Sequence, residues 1–282
     1  MNFLLPILAA ILQAGSFTFD KVVLSIRRVN FKTYMGVSFP LIFLITLVIF
    51  LIFRPPLSFE LLTGTLGILL IVSIGMTIVT NLIFYRALHD DQLGEIQTID
   101  LLHNIPIIIA ASIIFTDERN FAVIVPALIA SLAIIWSHWE HHHFTIKKHS
   151  LPFLVWSLTA ASFGAPIAKA LLASWNPISL ELIRSGATAL ILGPLFFRYA
   201  KKVPLKGLLI LLLTNIFTSI AWILFYFSYQ RSGIVYTILI FSLQPLLVYI
   251  ASVVFLKEPF AWKKAIAFGA VLASIGIAQV IG

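Results

Sequence analysis

Ten apolar runs, each close to the length that crosses a bilayer, follow one another along the chain with almost nothing between them. A lipid-crossing helix needs roughly 20 apolar residues. The runs fall at approximately 2–25, 34–53, 60–87, 92–115, 119–137, 151–173, 177–198, 204–230, 233–256 and 259–281. Turn and breaker clusters separate most of them: Arg54-Pro55-Pro56, Asp90-Asp91, Asp117-Glu118-Arg119, Asn176-Pro177, Arg231-Ser232-Gly233 and Glu258-Pro259. With 60% hydrophobic and 11% charged residues, most of the chain has lipid for its solvent. The expectation is an all-α polytopic membrane protein of ten transmembrane helices. Phe3 onward reads as a retained first span, because no positive n-region or small-residue cleavage site precedes it.

The longest hydrophilic interruption, 138–150, divides the chain near its middle into 1–137 and 151–282. The two parts share an ordered set of landmarks. Phe84-Tyr85, Pro106, Ala111-Ser112 and Phe115-Thr116-Asp117-Glu118 in the first answer Phe225-Tyr226, Pro245, Ala251-Ser252 and Phe255-Leu256-Lys257-Glu258 in the second. Lys21 and Lys169 stand at similar depth in the first helix of each part. Five spans is an odd number, so the second copy is expected to run inverted through the membrane. Inverted repeats around a midplane site are an arrangement of secondary transporters.

The pattern resembles the drug/metabolite transporter superfamily, specifically its ten-helix EamA-type exporters, across essentially the whole chain. Tyr85-Arg86-Ala87-Leu88 closing the third span, Pro106, Pro245, the turns Glu118-Arg119 and Glu258-Pro259, and Arg184 carry the likeness. Asp117 and Lys257 stand where a glycine is usual, and Ser38 stands where the first half has room for an arginine. The resemblance implies a small-molecule exporter with a central cavity between the halves. It leaves the substrate open.

Charge gives an orientation. The odd-numbered gaps hold Arg27, Arg28, Lys32, Arg86, Lys147, Lys148, Arg198, Lys201, Lys202, Lys206, Lys257, Lys263 and Lys264, whereas the even gaps hold Arg54, Arg119 and Arg231. The positive-inside rule makes the odd gaps cytoplasmic and puts both termini outside, in a cytoplasmic (inner) membrane.

Polar residues within apolar runs are the candidate site, since an ionisable group at membrane depth is costly unless it faces other helices or water. In the fourth run, Gln97, Asp100 and Asn104 fall within about 60° of one another on a helical wheel, with His103 beside Asp100 and Glu95 nearer the cytoplasmic mouth. A carboxylate in low dielectric is suited to proton exchange, so Asp100 with His103 is expected to couple proton entry to substrate exit. The ninth run offers Thr237, Phe241 and Gln244 on one uncharged face. Tyr85, Trp222 and Tyr226 read as aromatic walls or interface belts, with Asn81 one turn before Tyr85. Arg184 pairs with Glu181 three residues earlier, or binds a substrate carboxylate in a fork. Lys21 and Lys169 are expected to snorkel to headgroups or to meet an anionic substrate group. Pro106 and Pro245 are candidate hinges at mid-helix. Ala127 with Ser131, and Gly269 with Ala273, have small-xxx-small spacing and read as packing faces.

Other classes find little support. The histidines at 138, 141, 142, 143 and 149 match no metal-ligand spacing and read as a solvated linker, so no metal and no cofactor is expected. Zero cysteines exclude thiolate chemistry. A phosphate loop and a nucleophile elbow are both missing from the sequence, so neither an ATP-driven pump nor an enzyme is expected. The net charge of +8 lies in gaps between spans rather than on a face that grips nucleic acid. The reading is therefore a secondary transporter that exports a small metabolite, an amino acid or related amphipathic compound, against protons, as monomer or homodimer. The alternatives are uniport or exchange without protons, and a membrane scaffold or sensor.

Overall fold

The computed structural model describes residues 3–27, 29–57, 62–90, 96, 102–137, 150–199, 203–256 and 262–281, with backbone alone at 252, 255 and 256. In chain order the helices are α1 (Leu4–Leu24), α2 (Phe31–Phe53), α3 (Gly64–Asp90), α4 (Asn104–Ile114), α5 (Phe121–Ser137), α6 (Leu151–Leu158), α7 (Gly164–Leu172), α8 (Pro177–Tyr199), α9 (Leu205–Ser232), α10 (Ile234–Phe241), α11 (Leu243–Leu256) and α12 (Trp262–Ile281). Short 3₁₀ turns cover Thr116–Glu118 and Ala160–Phe163, and no strand occurs among the described residues. Eight segments are long and apolar enough to cross a membrane, counting α6 with α7 and Ile234–Ala251 as one crossing each. α4 and α5 are apolar but shorter, 11 and 17 residues. The protein is a multi-pass membrane protein.

Three apolar runs that read as continuous helices are broken. α6 and α7 belong to one run, interrupted at Thr159 (φ −111°, ψ −96°) and the 3₁₀ turn that follows. α10 stops at Phe241, and α11 resumes after Ser242. α4 begins only at Asn104, with a turn at His103. Each restart carries a proline at its third residue: Pro166, Pro245 and Pro106. A proline has no N–H for the carbonyl four residues back, and its ring collides with that carbonyl, so the helix gives way one turn upstream. Pro106 and Pro245 therefore sit in a first turn just past a break, not at mid-helix.

Packing runs between distant parts of the chain. α1 lies against α9, α2 against α8, and α5 against α12. Small residues permit the close approaches. Gly36 of α2 sits so near α8 that an added Cβ would stand 2.8 Å from the Leu195 carbonyl carbon, and one at Gly15 would stand 3.0 Å from the Phe217 ring. On α5, Ala127 and Ser131 are buried as their spacing suggests. On α12 the inward stripe is Ala267, Val271, Ser274 and Ala278, whereas Gly269 and Ala273 face outward. Their spacing fitted a packing face, but the helix is rotated so that they miss α5.

Buried apolar side chains form two clusters rather than one. The first gathers α4, α5, α7, α10, the inner face of α12 and the end of α9. The second gathers the end of α1, the first half of α2, the end of α3 and the start of α9. Because Gly36 meets backbone rather than a movable side chain, Gly36→Val should cost about 1–3 kcal/mol, the range for overpacking. A fall in the thermal unfolding midpoint of the purified protein checks it; an unchanged midpoint contradicts it.

Candidate functional site

A cavity of about 280 Å³ opens where the two clusters fail to merge. α3 contributes Ser73, Met76, Thr77, Thr80, Asn81, Phe84 and Tyr85, one stripe at the three-and-four spacing of a helix face. α8 turns Glu181, Arg184, Ser185 and Thr188 toward it, and α9 turns Thr218, Trp222, Phe225, Tyr226 and Tyr229. The breaks line it as well: Ser157, Ala161 and Gly164 around the α6–α7 joint, Phe241 and Gln244 around the α10–α11 joint, and His103 and Asn104 at the start of α4. A broken helix at membrane depth needs partners for its freed backbone groups or a water-filled space beside them. Side chains meet part of the need, since Ser162 Oγ donates to the Ser157 carbonyl at 2.9 Å.

Arg184 is the cation in the described wall. Its Nη2 donates to Thr77 Oγ1 at 2.6 Å, its Nη1 lies 3.6 Å from Glu181 Oε2, and the guanidinium carbon is 5.2 Å from the centre of the Tyr226 ring. Nε is buried and has no hydrogen-bond partner. The pair spans successive turns of α8, as three-residue spacing implies, but the contact is long, so the fork keeps capacity for another acceptor. Apolar rings enclose it: Trp222 packs on Tyr226 with centroids 5.8 Å apart, and Phe225 packs on Phe241 at 4.6 Å.

Ten residues singled out from the sequence thus meet in one cavity: Asn81, Tyr85, His103, Asn104, Glu181, Arg184, Trp222, Tyr226, Phe241 and Gln244. Asp100, Gln97 and Glu95 lie outside the described residues, as do the histidines of 138–149. Thr237 is turned away from the cavity. Its hydroxyl donates to the Gly233 carbonyl at 2.6 Å and is 2.7 Å from Ser228 Oγ. Lys21 Nζ donates to the Leu88 carbonyl at 2.7 Å, outside the cavity wall. Gln13, Phe17, Thr77 and Phe153 line the cavity without having been singled out. For Thr77 a signal existed, since Ser73, Thr77 and Asn81 recur every four residues in an apolar run.

Lys169 lies neither at the cavity nor free at a headgroup. Its ammonium donates to Asp117 Oδ2 at 2.5 Å and to Glu118 Oε1, and stands 4.8 Å from the centre of the Phe115 ring. Glu118 is 5% exposed, and it also accepts the first two amides of α10, Ile234 N on Oε1 at 2.6 Å and Val235 N on Oε2 at 3.0 Å. A carboxylate at a helix N-terminus satisfies amides that have no partner within the helix and opposes the helix dipole. Gly233 makes the approach possible, with φ +83° and space so tight that a Cβ would stand 2.7 Å from Glu118 Oε1. The Lys169 ammonium, through its hydrogen bond, holds the exposed Asp117 carboxyl below its ordinary value. That stabilisation is fully present above the ordinary aspartate range and is lost as pH falls through the lowered value.

Glu118→Gln leaves the lysine without a buried counter-charge, and should cost about 3–5 kcal/mol, the range for breaking such a pair. Thermal unfolding in detergent measures it, and Lys169→Met added to Glu118→Gln should recover part of the loss.

Residues 150–280 match the EamA-like transporter family, which fits the drug/metabolite transporter superfamily. The match lies within the second half of the chain, and the family it is similar to is one of membrane transporters. No curated protein matches. One solved crystal structure, 13% identical, aligns with a TM-score of 0.75 over 97% of this chain and 99% of that one. At that identity the likeness is one of fold alone.

Proposed function

We propose that the protein is a secondary active transporter that exports a small amphipathic metabolite carrying a carboxylate, an amino acid or related compound, by alternating access. The observation that carries this reading is the buried Arg184 guanidinium in the cavity wall, with Nε unused and Glu181 one turn away. An amino acid sets its carboxylate on the guanidinium fork and its ammonium on the Glu181 carboxylate. Its apolar part then lies against Trp222, Tyr226 and Phe241. A volume of about 280 Å³ suits one small solute and little bound water.

In this reading the two halves, 1–137 and 151–282, are inverted repeats of five helices each, and the cavity opens by turns to either side. The breaks before Pro106 and Pro245 serve as hinges. Both termini lie outside the inner membrane, from the distribution of lysine and arginine between the gaps. Export runs against proton entry, with Asp100, three residues before His103, as a coupling acid.

Counterflow in proteoliposomes with a panel of labelled amino acids tests the reading. Wild type should accumulate label by exchange, and Arg184→Gln should raise KM at least about tenfold, the loss of one charge-assisted interaction. Absence of counterflow across the panel, or an unchanged KM in Arg184→Gln, contradicts it. Asp100→Asn should abolish uptake driven by a pH gradient while counterflow persists; gradient-driven uptake at the wild-type rate rejects the coupling role.

A further inference from the structure

Asp20 is fully buried in α1 and lies outside the cavity wall. Its Oδ1 accepts two hydrogen bonds, from Tyr34 Oη at 2.6 Å and Thr214 Oγ1 at 2.6 Å, while Oδ2 is buried with no partner. The two other buried acids among the described residues differ. Glu118 is fully engaged by a lysine and two amides, and Glu181 faces Arg184. Against Asp20 there is no cation among the described residues, because its neighbour Lys21 reaches the Leu88 carbonyl instead. The titratable groups facing it are Tyr34 from α2 and Tyr85 from α3. α9 presents Thr214, and α10 and α11 carry no acid or base beyond Tyr236 and Tyr249.

A row of hydroxyls leads from this carboxyl to the cavity. Thr214 Oγ1 is 3.0 Å from Ser16 Oγ, which is 2.5 Å from Thr218 Oγ1, and Thr218 is part of the cavity wall. Each hydroxyl both donates and accepts, so a proton that passes from Thr214 to Asp20 is replaced along the row by one taken up at Thr218 from the cavity. The carboxylate that remains when the proton departs keeps its two hydroxyl donors. A second link carries the solute: Tyr85 lines the cavity and packs on Tyr34 with ring centroids 4.5 Å apart, and Tyr34 donates to Asp20. A solute that shifts Tyr85 thereby alters one of the two bonds on Oδ1.

We infer that Asp20 is a proton-binding acid of the transport cycle, joined to the cavity by the hydroxyls of Thr214, Ser16 and Thr218. Its coupling role rests on the transporter reading, and it is separate from Asp100.

The test needs no solute. Infrared spectra of the full-length protein in phosphatidylcholine bilayers are recorded across a pH titration. A carboxylic-acid C=O band should fade with rising pH in wild type and in Asp100→Asn, be missing in Asp20→Asn, and return displaced in Asp20→Glu. On transfer to D₂O the band shifts as the acid exchanges its proton. Thr218→Val, which leaves the acid intact, should slow that shift at least about tenfold, whereas Thr46→Val, away from the row, should not. A titrating band unchanged in Asp20→Asn, or equal exchange rates in wild type and Thr218→Val, overturns the inference. Helicity by circular dichroism checks that Asp20→Asn is folded, and if it is not, Asp20→Glu and Thr218→Val decide between the outcomes. Failure of counterflow leaves the band in place, and loss of the band leaves counterflow in place, so the two failures are distinct.

Discussion

A bilayer offers no water to a broken helix, and that constraint organises this structure. Wherever a proline stops a helix at depth, the chain must supply partners for the freed amides and carbonyls or keep a wet space beside them. The α6–α7 joint meets the demand with Ser162 on the Ser157 carbonyl. The start of α10 meets it with Glu118 from a turn more than a hundred residues earlier. What the side chains leave over borders the cavity. The breaks and the hollow are thus two aspects of one solution, and the proposed solute site falls where backbone order is interrupted.

The same logic explains where charge can sit. Lys169 and Glu118 sit at low exposure because each meets the other and the remaining lone pairs find amides. Arg184 and Glu181 are joined more loosely, at 3.6 Å, and border open space. A tightly satisfied pair holds elements together, whereas a slack one keeps capacity for something that arrives and leaves. Geometry therefore separates a structural ion cluster from the proposed binding one, although residue types alone would rank them alike.

Much of this was legible in the amino-acid order. Eight spans follow from run length, and Arg184, Asn81, Tyr85 and Gln244 declared themselves as polar or amphipathic residues within apolar runs. Partners far away in the chain were not legible. The spacing around Lys169 says nothing about Asp117 and Glu118, some fifty positions earlier on another element. The α6–α7 break was readable only from Pro166, which resembles the membrane prolines that helices tolerate, such as Pro40 within α2. Asp20 was hidden by its neighbour: beside Lys21, near the end of an apolar run, it looks like half of a surface pair. Only the packing of α1 on α9 reveals that its partners are hydroxyls. The outward turn of Gly269 and Ala273 is likewise a matter of helix rotation, which spacing does not encode.

α9 and the start of α10 are fastened by different forces. At Thr214 of α9, Asp20, Tyr34 and Tyr85 form a knot of packed rings and hydroxyls without a counter-ion among the described residues. About 30 Å further along, at 1.5 Å per residue, the tie is Lys169 with Asp117 and Glu118, and Asp117 is 67% exposed. Dissolved salt can reach the second fastening and screen part of it, but has nothing to screen at the first. Ionic strength then acts as a lopsided lever on this molecule, loosening one fastening while the other keeps its grip.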